Sequence, residues 1–281
     1  MRELEYKEIV SAIRDLCLKA AYFLPADVKM SLENAIATED SALGKNILKQ
    51  CVLNAEMASA DELPICQDTG FAVYFVELGA EVHVTGGLLA DAIQEGTRLG
   101  YREGYLRKSI VADPLFNRKN TGDNTPAIVH LDIVSGEKLL ITLAPKGGGS
   151  ENMSRVAMLK PSDGVEGVIK FVVDSVVLAG GNPCPPTIVG VGIGGTFEKV
   201  AYLSKKALLR PLGQKNHNPE YAQLEDSILT RINASGVGPQ GLGGHTTALA
   251  VHLETFPCHI ASLPVAVNLN CHAARHAHIV L

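Results

Sequence analysis

Apolar residues in EYKEIVSAIRDLCLKAAYF recur at helical spacing and place Ile9, Ile13, Leu16 and Ala20 on one face. That period predicts an amphipathic helix, which Pro25 ends. Two more helices are predicted, one around Val28–Thr38 and one from about Gly44 to Ala60. The period then changes. FAVYFVELG is rich in β-branched and aromatic residues and reads as a buried strand, with EVHVT as a second. GLLADAIQEGTRLGYREGYL returns to helical spacing. RKSIVADPLFNRKNTGDNTP has little periodicity and many turn residues, which predicts a long surface or active-site loop. AIVHLDIV and KLLITLAP flank Ser-Gly-Glu and predict a hairpin. Next come a helix over about Asp163–Leu178, the strand TIVGVGIGG and the helix TFEKVAYLSKKALL. A helix over about Pro219–Asn233 and two strands precede NCHAARH. This order predicts a mixed α/β (α+β) fold, a helical N-terminal region followed by a two-lobed mixed-sheet body. No repeat or linker divides the chain, so residues 1–281 are expected to form one domain, of two lobes.

Composition narrows the function more than the fold. Charged residues make up 20% of the chain and the formal net charge is −5. There is no basic stripe, so nucleic acid is not expected as a partner. The N-terminus lacks the apolar core of a signal peptide. Lys170, Asp174 and the Asn-Pro-Cys-Pro-Pro break interrupt the most apolar region, so no membrane span is expected. The chain is expected to be soluble and cytoplasmic. Six cysteines occur without a C-x-x-C pair. In such a setting they read as reduced thiols that pack or bind metal.

Two motifs invite readings that their surroundings do not support. GVGIGG fits G-x-G-x-x-G through Gly190, Gly192 and Gly195, after a strand and before a helix. A dinucleotide site also wants a ribose-binding acid about 20 residues on, and RPLGQKNHNPE supplies none there. HAARHAH sets His272 and His276 one helical turn apart, but no Glu lies between them as in H-E-x-x-H.

The cysteines separate by context. Cys17 and Cys51 fall in predicted helices beside Leu and Val and read as buried structural thiols. Cys66, Cys184 and Cys271 fall in PICQDTG, GNPCPP and LNCHAA, in turns or at strand ends flanked by Pro, Gly or Asn. Loop thiolates from distant segments are soft ligands suited to an iron–sulfur cluster. Three cysteines for four irons leave one iron open to a hydroxyl and a carboxylate. Taken alone, these residues also fit partly buried loop thiols, and Asp68 fits an Asx-turn.

PICQDTG, KGGGSEN, NPCPPTIVGVGIGG and GLGGHTTALAVHLETFPCHIASLPVAVNLNCHAARHA together resemble the iron–sulfur hydro-lyases of the class I fumarate hydratase type, a family that includes L-tartrate dehydratase. The resemblance covers nearly the whole chain. It implies a 4Fe–4S cluster on Cys66, Cys184 and Cys271, with one iron not held by cysteine. Asp68 and His259, which stands twelve residues before Cys271, are implied as the acid–base pair. Gln67, Arg107, Lys146, Gly148 and Gly149 are implied in binding a dicarboxylate, through a guanidinium fork and open backbone amides. Cys258 matches no ligand position and reads as packing. Single-chain relatives carry a further C-terminal domain; the resemblance implies instead an alpha chain with a separately encoded beta subunit, in an α2β2 assembly. The activity implied is hydration of fumarate to L-malate. Dehydration of L-tartrate and a non-catalytic cluster-binding role are the alternatives.

Overall fold

The computed structural model describes residues 2–281. Strand β1 (Arg2–Glu5) leads into helices α1 (Tyr6–Tyr22), α2 (Ala26–Thr38) and α3 (Ala42–Asp61). Then come β2 (Phe71–Gly79), β3 (Val82–Thr85), α4 (Leu89–Glu103), β4 (Ile128–Val134) and β5 (Leu139–Lys146). A single turn α5 (Gly148–Glu151) precedes β6 (Arg155–Leu159), α6 (Gly164–Ala179), β7 (Thr187–Gly194) and α7 (Phe197–Ala207). The chain continues through α8 (Pro219–Asn233), β8 (Ala248–Phe256), β9 (Leu263–Asn270) and β10 (Ala277–Val280). This is the mixed α+β fold that the sequence predicts. Among the described residues no helix is long and apolar enough to cross a membrane.

The chain divides into two compact units. The first contains the residues up to Pro25, Asn54–Gly148 and Arg275–Leu281. Its sheet runs β10-β5-β2-β4, with a separate parallel pair β1-β3. Ile9, Ile13 and Leu16 of α1 are buried with Ile93 of α4 and with Tyr74, Ile141 and Leu143 of the sheet. The helical period of the first segment therefore marks a core face, as predicted. Cys17 belongs to this core. Its Sγ lies 3.3 Å from the Tyr74 hydroxyl, and burial pushes its thiol up to about 12, only partly offset by that hydrogen bond.

The predicted hairpin of AIVHLDIV with KLLITLAP does not form. β4 and β5 flank β2, which pairs parallel with β4 and antiparallel with β5. The reason lies in β2, whose residues Ala72–Val76 are all buried. A strand apolar on both faces belongs in a sheet centre, so it inserts between the two segments that are neighbours in sequence.

The second unit contains Ala26–Leu53 and Gly149–Ala274. Its sheet runs β6-β9-β7-β8, with Val172, Val176, Val189, Val191, Ile228 and Leu269 in its core. The glycines of GVGIGG are explained here. A Cβ at Gly190 would lie 2.1 Å from the Ser204 carbonyl, and one at Gly192 2.2 Å from that of Val200. They are small so that α7 can lie on β7, which is a packing role.

Glu39, just beyond α2, is fully buried. Its carboxylate accepts from the backbone N–H groups of Ser41 (3.0 Å), His245 (2.9 Å) and Thr246 (2.7 Å). Burial by itself raises its pKa, but these backbone donors outweigh it and hold the group down to about 2. The unfolded reference is 4.5, so the stabilisation is complete above about pH 4.5 and disappears as pH falls towards 2. Glu39→Gln is expected to cost roughly 3 kcal/mol at neutral pH. Urea unfolding should also show a smaller loss of stability between pH 4.5 and 2 in the variant than in the parent, the remainder belonging to other depressed carboxyls such as Asp123.

Candidate active site

The segment Cys66–Gly70 is held from both sides within the first unit. Before it, the Ile65 N–H donates to the Ala21 carbonyl at 3.0 Å, and the Asn54 amide donates to the Ile65 carbonyl at 2.8 Å. Within it, three successive carbonyls are capped by side chains. Arg275 Nη2 donates to Asp68 O at 2.8 Å. The buried Tyr101 hydroxyl lies 3.1 and 3.0 Å from the carbonyls of Thr69 and Gly70. Asn124 Nδ2 donates to Gly70 O at 3.2 Å. Gly70 has φ +83°, and a Cβ there would come within 2.8 Å of the Lys146 backbone. Only glycine suits that conformation and approach.

This frame presents Asp68. Its Oδ2 accepts from the Gly148 N–H at 2.7 Å and its Oδ1 from the Gly70 N–H at 3.1 Å. PICQDTG and the glycine loop are thus joined through one carboxylate. The Cys66 thiol is half-buried and lies 3.4 Å from Gln67 Oε1. Gln67 is exposed, while Lys146 at the end of β5 is buried. Thr69 Oγ1 donates to the Arg107 carbonyl at 3.1 Å, which sets the exposed Arg107 next to the same turn. Arg107 opens the stretch 107–126, which has no helix or strand, the loop the sequence predicts. Asn124 anchors it, accepting from the Ser109 N–H at 2.7 Å.

In the second unit Cys184 and Cys271 come to one end of the sheet. Cys184 precedes β7 and Cys271 follows β9, and these strands are antiparallel with Ile188 opposite Asn270. Cys184 is exposed with φ +54°, a left-handed conformation that costs a non-glycine residue energy and persists where surroundings impose it. Its N–H donates to the Gly181 carbonyl at 3.0 Å, and its own carbonyl accepts from the His272 N–H at 3.3 Å. His272 Nδ1 also lies 3.0 Å from that carbonyl and 3.1 Å from Gln240 Nε2. Gln240 donates to the Pro185 carbonyl at 2.8 Å. The two cysteine loops are therefore stitched together. Gly149 packs here too, where an added Cβ would lie 3.1 Å from the Asn182 carbonyl. Cys51 is buried as predicted, and its thiol is pushed up to about 11, first by burial and then by the nearby thiols of Cys271 and Cys184.

His259 stands elsewhere in this unit. It precedes β9 while Cys271 follows it, and an eight-residue strand spans roughly 25 Å. His259 lines a cavity of about 350 Å³ with Val165, Ile193, Tyr221 and Leu224. Cys258 lines it too and is exposed, so it is not the packing thiol the sequence suggests.

Within each unit, side chains from distant parts of the sequence hold these loops. Arg275, Gln240, His272, Tyr101 and Asn124 all bind backbone carbonyls from afar, and nothing in their local spacing announces it. Arg275 is buried, and its Nε and Nη1 have no hydrogen-bond partner.

Among the described residues no group of three or more His, Cys, Asp or Glu is placed to hold a metal ion. Thiolates on a cluster each take a different iron and do not converge on one point. The donor set itself fits such a group. None of Cys66, Cys184 and Cys271 is in a disulfide and none is fully buried, soft ligands are what iron–sulfur clusters take, and Arg275 brings a buried guanidinium beside the Asp68 turn.

The chain matches the family model described as fumarate hydratase (Fumerase) over residues 10–280, and it belongs to that family of hydro-lyases. It is 42% identical over 275 residues to the Methanocaldococcus jannaschii protein named "Putative L(+)-tartrate dehydratase subunit alpha", covering 96% of each chain. It is 35% identical over 263 residues to the L(+)-tartrate dehydratase subunit alpha of Escherichia coli O157:H7, covering 92% of this chain and 86% of that one.

Proposed function

We propose that this chain is the alpha subunit of an iron–sulfur hydro-lyase that reversibly hydrates fumarate to L-malate, completed by a separately encoded beta subunit in an α2β2 assembly. The observation that carries the reading is Asp68, a carboxylate fixed by two backbone amides two residues after Cys66, in a chain of this family. Cys66, Cys184 and Cys271 are the proposed ligands of a 4Fe–4S cluster. When bound, such a cluster supplies an open iron as a Lewis acid for the substrate hydroxyl.

The remaining work falls to the chain's own groups. In dehydration a proton leaves the carbon beside a carboxylate while hydroxide leaves its neighbour. Asp68 is proposed to hold or move a proton in that exchange. Arg107, Gln67, Lys146 and the amides of Gly148 and Gly149 are proposed to bind the substrate carboxylates and to offset the charge that builds beside them. His259 is implied as the partner of Asp68 by the resemblance alone. It lies at the far end of β9 from Cys271 of its own chain.

L-tartrate dehydration is the second reading, favoured by the names of the relatives. The reaction type is the same, and the substrate has one more hydroxyl. Anaerobic co-purification with the beta subunit, followed by rates on L-malate and L-tartrate, decides between them. Faster turnover of L-malate supports the first reading, and faster turnover of L-tartrate moves the assignment to the second. A loaded complex inert on both overturns catalysis and leaves a cluster-binding protein.

A further inference from the structure

Among the described residues β4 is the outer strand of the first unit's sheet and pairs only with β2. The Val134 carbonyl accepts from the Ala80 N–H at 2.7 Å on the β2 side. Backbone groups alternate sides along a strand, so Val129, Leu131 and Ile133 direct their N–H and C=O groups away from β2. These are not the polar positions with which proteins usually blunt an edge. Leu131 is 50% exposed and Ile133 72%, with Ile128 at 42% and Val134 at 37%.

The order of residues along this edge is self-complementary. Around Leu131 the strand reads Ile-Val-His-Leu-Asp-Ile-Val. If a second copy runs antiparallel about a two-fold axis through Leu131, Ile128 faces Val134, Val129 faces Ile133 and Leu131 faces itself. His130 then faces Asp132, and Asp132 faces His130. The outward backbone groups fall at the pairs 129–133, 131–131 and 133–129, which are the hydrogen-bonded pairs of that register. That gives about six inter-chain hydrogen bonds, since each such pair exchanges two. His130 and Asp132 fall at the non-hydrogen-bonded pairs, where side chains come closest. His130 is already set against the Phe75 ring at 5.1 Å, so little freedom is lost when it meets the opposing carboxylate. A shift of one residue breaks both correspondences, which makes the register specific.

We infer that β4 pairs with β4 of a second copy of this chain, joining two four-stranded sheets into one of eight strands. This contact is independent of the proposed reaction and of the cysteines.

The charge exchange supplies the test. The full chain is examined by sedimentation equilibrium, both alone and co-purified with its beta subunit. The parent is expected to weigh as a dimer of this chain at about 10 µM. His130→Asp sets carboxylates opposite each other twice and is expected to weaken the dimer about tenfold. His130→Asp with Asp132→His restores the opposition with the roles exchanged and should recover it. Leu131→Lys should leave a monomer with unchanged circular dichroism. A monomeric parent overturns the inference, as does equal dimerisation by the single and exchanged variants. Hydrogen exchange that protects β4 amides only when the beta subunit is present also overturns it, by assigning the edge to that chain.

Discussion

Serine in place of Cys184 is expected to abolish cluster binding and turnover together, whereas serine in place of Cys51 should preserve both. The two thiols are neighbours, so the contrast tests placement. Cys184 is exposed in a left-handed turn between two prolines, and its backbone is fixed by Gly181 and His272. That arrangement spends conformational energy to present a thiol. A hydroxyl is a hard, weakly acidic donor and a poor exchange for a soft thiolate. Cys51 sits inside α3, and its burial holds the thiol in the protonated form. Iron content and visible spectra after anaerobic reconstitution read out both variants. Full cluster in Cys184→Ser, or loss in Cys51→Ser, would sink the assignment.

Asp68→Asn is expected to lower kcat by about 10²–10⁴-fold with the cluster retained, the range for a positioned acid–base group. The carboxylate also accepts from Gly70 and Gly148, so a structural cost must be separated from a chemical one. Asparagine keeps one acceptor oxygen and turns an NH₂ group towards the other N–H. The turn itself should survive, because Arg275, Tyr101 and Asn124 hold its carbonyls independently of the Asp68 side chain. Iron content should therefore match the parent while kcat falls, and KM should move far less than kcat. Near-normal turnover with a full cluster would remove Asp68 from the chemistry.

What the sequence discloses follows from the range of the forces involved. The face of α1 and the burial of β2 are legible because periodicity and side-chain type act locally. Sheet order is not, and β2 slips between two segments that read as a hairpin. The turn built on PICQDTG is visible as chemistry, since Cys, Asp and Gly sit within five residues. Its supports are invisible, because Arg275 reaches Asp68 across 207 positions, and so are those of the Cys184 loop, which His272 reaches across 88. A lone Arg among alanines and histidines carries no pattern that names its target. The position of His259 shows the converse. Twelve residues of separation suggest proximity to Cys271, but most of them form one extended strand.

The first unit is assembled from three stretches, and the last of them comes after the whole of the second unit in sequence. β10 supplies an edge strand to β5, and Arg275 caps the Asp68 turn just before it. On a ribosome, therefore, the N-terminal sheet cannot close when its own strands emerge. The second unit has all its strands in hand first, and the earlier-made β2, β4 and β5 wait with one flank uncovered. Such waiting surface is where chaperones act on a nascent chain. The Asp68 turn is translated before the second unit's sheet and receives its Arg275 cap only after that sheet is complete.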